Sequence, residues 1–83
     1  MSPRPRVLQS INAPDMERCV DVFVRADGGF GFEEYRRDVE DGRGWFAVGG
    51  HDARRFATAE AALEAAQTAI PWLAALSRDG LFD

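Results

Sequence analysis

At 83 residues, with 46% hydrophobic side chains and nine aromatics, the chain is too short for two domains and too apolar for a disordered segment, so it predicts one thin hydrophobic core. A formal charge of −4 and a pI near 4.9 disfavour general attraction to phosphate backbones or anionic membranes. No apolar run approaches the roughly 18 residues that a membrane helix needs, and the lone Cys19 excludes an internal disulfide framework.

Taken in chain order, residues 1–6 carry Pro3 and Pro5 and predict a frayed stub, with residues 7–83 forming a single α+β domain. Val7 to Ile11 is a short apolar patch, either an edge strand or a lid on a sheet, ended by Pro14. From Cys19 to Arg25, Val20, Val22 and Val24 alternate with Cys19, Asp21, Phe23 and Arg25, which is the period of a half-buried strand. Asp27-Gly28-Gly29 supplies the positive φ angles of a tight turn, so the strand from Phe30 to about Arg37 folds back antiparallel. Its apolar side carries Phe30 and Phe32, its other side Glu33, Tyr35 and Arg37. A charged loop from Asp38 to Gly44 leads to a third short strand, Trp45 to Val48, before Gly49-Gly50-His51-Asp52 breaks the pattern.

Thr58 predicts an N-cap, with Glu60 placed well in the field of the first turn. Beyond it Ala62, Leu63, Ala66, Ala69, Ile70, Leu73 and Leu76 recur at helical spacing and form one apolar stripe. Pro71 interrupts that stripe and either kinks the helix or splits it, while Gly80 and Leu81 suit a C-terminal cap after about Arg78. The fold class expected is therefore a three-stranded, or four-stranded, antiparallel sheet with one C-terminal, Pro-kinked helical segment on one face.

The order of strand, Asp-Gly turn, strand, loop, strand and Thr-capped helix from Cys19 to Leu73 resembles two groups of small bacterial domains. Asp27-Gly28-Gly29-Phe30 and Phe56-Ala57-Thr58-Ala59-Glu60-Ala61-Ala62 are similar to the uncharacterised YegP-like proteins, and Thr58-Ala59-Glu60-Ala61-Ala62-Leu63 is similar to the HicB antitoxin family. The resemblance covers about two thirds of the chain through hairpin and capping signals. It implies a hairpin sheet with a capped helix, and an antitoxin-like regulatory role as one alternative. The sequence departs from the antitoxins at the Pro-Gly-Cys-type turn between the second and third strands, which is missing, and shows no DNA-binding tail after the helix.

A nucleophilic enzyme needs a nucleophile, a base and a group that orients the base. The one histidine, His51, sits in a polar turn, and the serines Ser2, Ser10 and Ser77 lie in the stub, the apolar patch and a helix end. His51 with Asp52 falls short of a zinc ligand set, and Glu33 and Glu34, as strand neighbours, point to opposite faces. Of the glycine-rich stretches, Asp27 to Gly31 joins two strands and Gly49-Gly50 lies too far before Thr58, so neither opens a helix, which is where such loops hold phosphate. The expectation is a non-enzymatic protein with no catalytic, cofactor-binding or metal-binding residues. Ten basic residues that are all arginine suit a GC-rich bacterial genome, and no apolar stretch of about seven or more residues follows the two arginines of residues 1–6 as a secretory signal would need, so a cytoplasmic location is expected.

Strand parity leaves one constellation. If the valine side and Phe30, Phe32, Phe46 and Val48 face the helix, then Phe23, Arg25, Tyr35, Arg37 and Trp45 share the opposite face. Aromatics with arginine are enriched at the centres of protein interfaces. This face predicts a homodimer or the binding of an unknown protein partner, unless Val7 to Ile11 or the segment with Trp72 and Phe82 folds over it. Single-stranded nucleic acid stacked on Phe23, Tyr35 and Trp45 is a second reading, ranked lower because Asp21 and Glu33 share the face and the chain is acidic.

Overall fold

A computed structural model of the chain describes residues 5–38, 40, 42 and 44–78. Four antiparallel strands, β1 (Arg6–Asn12), β2 (Arg18–Val24), β3 (Phe30–Arg37) and β4 (Trp45–Val48), form one sheet in the order β1-β2-β3-β4. A single 3-10 turn over His51–Ala53 follows, then α1 (Ala59–Ala69) and α2 (Pro71–Arg78).

The Val7 to Ile11 patch is the fourth strand and not a lid. It lies at the edge of the sheet against β2, in a register that pairs Ile11 with Val20 and Ser10 with Asp21 and carries an irregularity between Val7 and Gln9. Arg6, placed in the stub by its neighbouring prolines, is already part of β1. The reversal from β1 to β2 is fixed by short-range bonds: the amide of Ala13 donates to the carbonyl of Arg18 at 2.8 Å, and Asp15 caps the amide of Glu17.

The central hairpin follows the sequence reading. Val22 pairs with Phe32 and Val24 with Phe30. At the turn the amide of Arg25 donates to the carbonyl of Gly29, Asp27 accepts from the amide of Gly29, and Gly28 has φ of 90°, a backbone region that glycine enters without a steric penalty. Phe56 adds a single antiparallel bridge to Phe30, so the segment before α1 is held extended along the sheet.

Thr58 caps α1 as expected: its backbone is extended, and its hydroxyl accepts from the amide of Ala61 at 3.0 Å. Pro71 splits the helical segment. Ile70, the residue before proline, is forced out of the helical region to φ −120° and ψ 103°, and Pro71 then occupies the first position of α2, where a missing amide costs least. Ile70 still donates to Ala66 and accepts from Leu73 and Ala74, so the chain turns without losing these bonds. The residues expected to cap the far end, Gly80 and Leu81, lie outside the described residues.

The core lies on one side of the sheet, where Ile11, Val20, Val22 and Phe32 meet Ala62, Ala66, Ile70, Leu73 and Leu76. Small alanines at the α1 contact let helix and sheet approach closely. Leu63, expected on the buried stripe, is half-buried at its margin. Trp72, one expected cover for the opposite face, instead joins the helix side: its indole donates to Glu34 at 2.8 Å and the Arg18 guanidinium lies over its ring.

Candidate functional site

Both helices pack on the side of Val20, Val22 and Phe32, which leaves the other side of the sheet without a covering element among the described residues. Pairing fixes what that open face carries. Asp21 opposes Glu33, Cys19 opposes Tyr35, and Phe23 opposes Gly31. Ser10 and Asn12 of β1 join them beside Asp21 and Cys19, while β4 adds Ala47 opposite Tyr35 and Trp45 opposite Arg37. Phe23, Tyr35, Arg37 and Trp45 thus share one face, and Arg25 folds onto it from the end of β2.

Their exposure differs from residue to residue. Phe23 is only 6% exposed although no helix covers it. The reason is local: its ring lies across Gly31, where a Cβ would come within 3.0 Å of it, and the Arg25 guanidinium stacks over it at 4.9 Å. Arg25 is itself anchored by the carbonyls of Phe30 and Arg54. Tyr35 is half-buried, whereas Trp45 is 43% exposed at the sheet edge. The Arg37 guanidinium covers the Trp45 ring at 4.9 Å and donates from Nη2 to the carbonyl of Met16, and its Nε is sealed from solvent without a hydrogen-bond partner.

Between Trp45 and β1 the face sinks into a shallow cavity of about 350 Å³ lined by Ser10, Asn12, Cys19, Asp21, Tyr35 and Trp45. Among the described residues Asp21 is its only charged lining residue. Oδ1 of Asp21 accepts from the Ser10 hydroxyl at 2.5 Å and from the Cys19 thiol at 3.4 Å. Burial first, and then the Asp21 charge, push the Cys19 thiol up to about 12, so it stays protonated and unreactive near neutral pH. Glu33, on the same face, is only 2% exposed, and its Oε1 accepts from the backbone amides of Glu34 and His51.

Nucleophile and base are kept apart. His51 stacks on Phe32 at 4.9 Å, on the helix side of the sheet, whereas Cys19 and Ser10 lie on the open side. Among the described residues there is no group of three or more His, Cys, Asp or Glu that could hold a metal ion, and no helix long and apolar enough to cross a membrane. Sequence reasoning missed Ser10, Asn12, Cys19 and Asp21 as cavity residues. The signal was the register of β1: once Val7 to Ile11 is a strand, Ser10 and Asn12 fall beside Asp21 and Cys19.

Compared with family models, with curated proteins and with solved structures, the chain matches none.

Proposed function

We propose that the protein is a small non-enzymatic interaction module whose open sheet face docks a second copy of itself. The observation that carries this reading is the charge of that face. Among the described residues of that face Arg25 and Arg37 offset Asp21 and Glu33, so these carry no net charge in a chain of net charge −4. Two copies of a chain with net charge −4 repel each other overall, and across a two-fold axis a face with both signs can set an arginine against Asp21, its carboxylate that is not buried. Trp45, exposed and flanked by Arg37, is the kind of side chain that anchors such contacts. The protein is a slab of 35 × 32 × 18 Å, whose broad side is large enough for the roughly 800 Å² that each partner buries in a stable complex.

A non-enzymatic role is supported by the separation of His51 from Cys19 and Ser10 and by the inert thiol, which also suits the reducing cytoplasm of a bacterium. Base stacking on three successive rings finds little support, because Phe23 is buried under Arg25 and one side of Trp45 is occupied by Arg37. The resemblance to YegP-like and HicB proteins rests on the turn and cap that shape the scaffold and names no partner. Trp45→Asp puts a charge into the proposed contact in place of its exposed ring. Light scattering is expected to read twice 9.2 kDa for the parent protein and half of that for the variant, with helix content retained; a dimer that survives the substitution contradicts the assignment of this face.

A further inference from the structure

The cavity on the open face is more selective than the face around it. Oδ1 of Asp21 is held by Ser10 and Cys19, which leaves Oδ2 without a protein donor among the described residues. Tyr35 and Trp45 supply aromatic walls, and Ser10 and Asn12 are the remaining polar lining. Among the described residues the positive groups of the face are engaged elsewhere: Arg37 with the Met16 carbonyl and the Trp45 ring, Arg25 with the carbonyls of Phe30 and Arg54 and the Phe23 ring. Among its described lining residues the cavity therefore sets one carboxylate beside two aromatic side chains.

We propose that this cavity binds a small organic cation, an ammonium or guanidinium compound, whose charge pairs with Oδ2 of Asp21 and whose alkyl body lies against Tyr35 and Trp45. A carboxylate and a cation form the stronger, charge-assisted type of hydrogen bond, and a cation beside an aromatic face gains further attraction. A volume of about 350 Å³ is at the small end of ligand sites, which fits a compound of a few carbon atoms. A neutral polyol could bond to Ser10 and Asn12 but would leave the Asp21 charge unanswered, and an anion would be repelled. The raised Cys19 thiol is consistent with this, since the Asp21 charge contributes to it.

This inference does not rest on self-association, although both use Trp45. The test is therefore made on the full chain, diluted until sedimentation reads 9.2 kDa, or as it stands if it never associates. Butylammonium and butylguanidinium chloride are titrated while amide and indole signals are followed by NMR, with sodium chloride, butan-1-ol and methyl glucoside as controls. Saturable shifts confined to Ser10, Asp21, Tyr35 and the Trp45 indole are expected for the two cations, with at least tenfold weaker responses to the neutral compounds. Asp21→Asn is expected to weaken cation binding at least tenfold, and Trp45→Leu, which does not touch the Asp21 hydrogen bonds, to weaken it severalfold should the first variant not fold. Methyl glucoside matching the cations, shifts spread over all surface carboxylates without saturation, or unchanged binding in the variants that fold would overturn the proposal.

Discussion

Phe23 shows how a single glycine can close a surface that has no covering element among the described residues; Phe82, one expected cover, lies outside them. Its ring occupies the space over Gly31, and Arg25 completes the cover. Adding a methyl group at Gly31 would push the ring and the guanidinium out of place, so Gly31→Ala is expected to destabilise the fold by about 1–3 kcal/mol, as overpacking does, and chemical denaturation measures it directly. Parity alone could place Phe23 on this face but not show that it was buried, because the pattern of one strand says nothing about a gap in its neighbour. Cys19 makes a second test. With its thiol pushed up to about 12, it should react with a disulfide reagent at pH 8 at least tenfold more slowly in the folded than in the denatured protein. The same shift has a sign for stability: the folded state holds the proton more tightly, so the contribution is fully present below the ordinary thiol range and is lost as pH rises towards 12.

At the scale of elements, most of the scaffold was legible because each boundary has a local cause. The valine alternation, the Asp27-Gly28-Gly29 turn and the Thr58 cap each act within a few residues, and each appears where those residues predict it. Removing the cap with Thr58→Ala is expected to cost about 1 kcal/mol in thermal or chemical unfolding. Two features depended on more than local signals. Val7 to Ile11 has an apolar pattern compatible with strand or lid, and only the available edge of β2 decides between them. Pro71 forbids a continuous helix by itself, but a split in place of a kink follows from Ile70, which can be extended and still bury its side chain in the core. The apolar stripe likewise could not tell Leu63 from Leu73. Leu73 is fully buried and Leu63 marginal, so Leu73→Ala should cost about 2–5 kcal/mol and Leu63→Ala distinctly less; equal losses would mean the stripe is rotated.

At the scale of the whole molecule, one core supports one side of the sheet, and the opposite side presents described charges that balance, a shallow cavity and the exposed ring of Trp45. The candidate face was half legible: parity put Phe23, Tyr35, Arg37 and Trp45 together, but the cavity needed the register of β1, which the sequence does not state. A two-layer slab of this size is thin, and burial of its open side against a second copy would add apolar area where a small chain has little to spare. The most direct measurement is sedimentation of the unmodified protein across a dilution series. Twice 9.2 kDa is expected at high concentration, falling towards the single-chain mass on dilution and at a higher concentration in strong salt, which screens the arginine–carboxylate contacts. A single-chain mass at every concentration would contradict it.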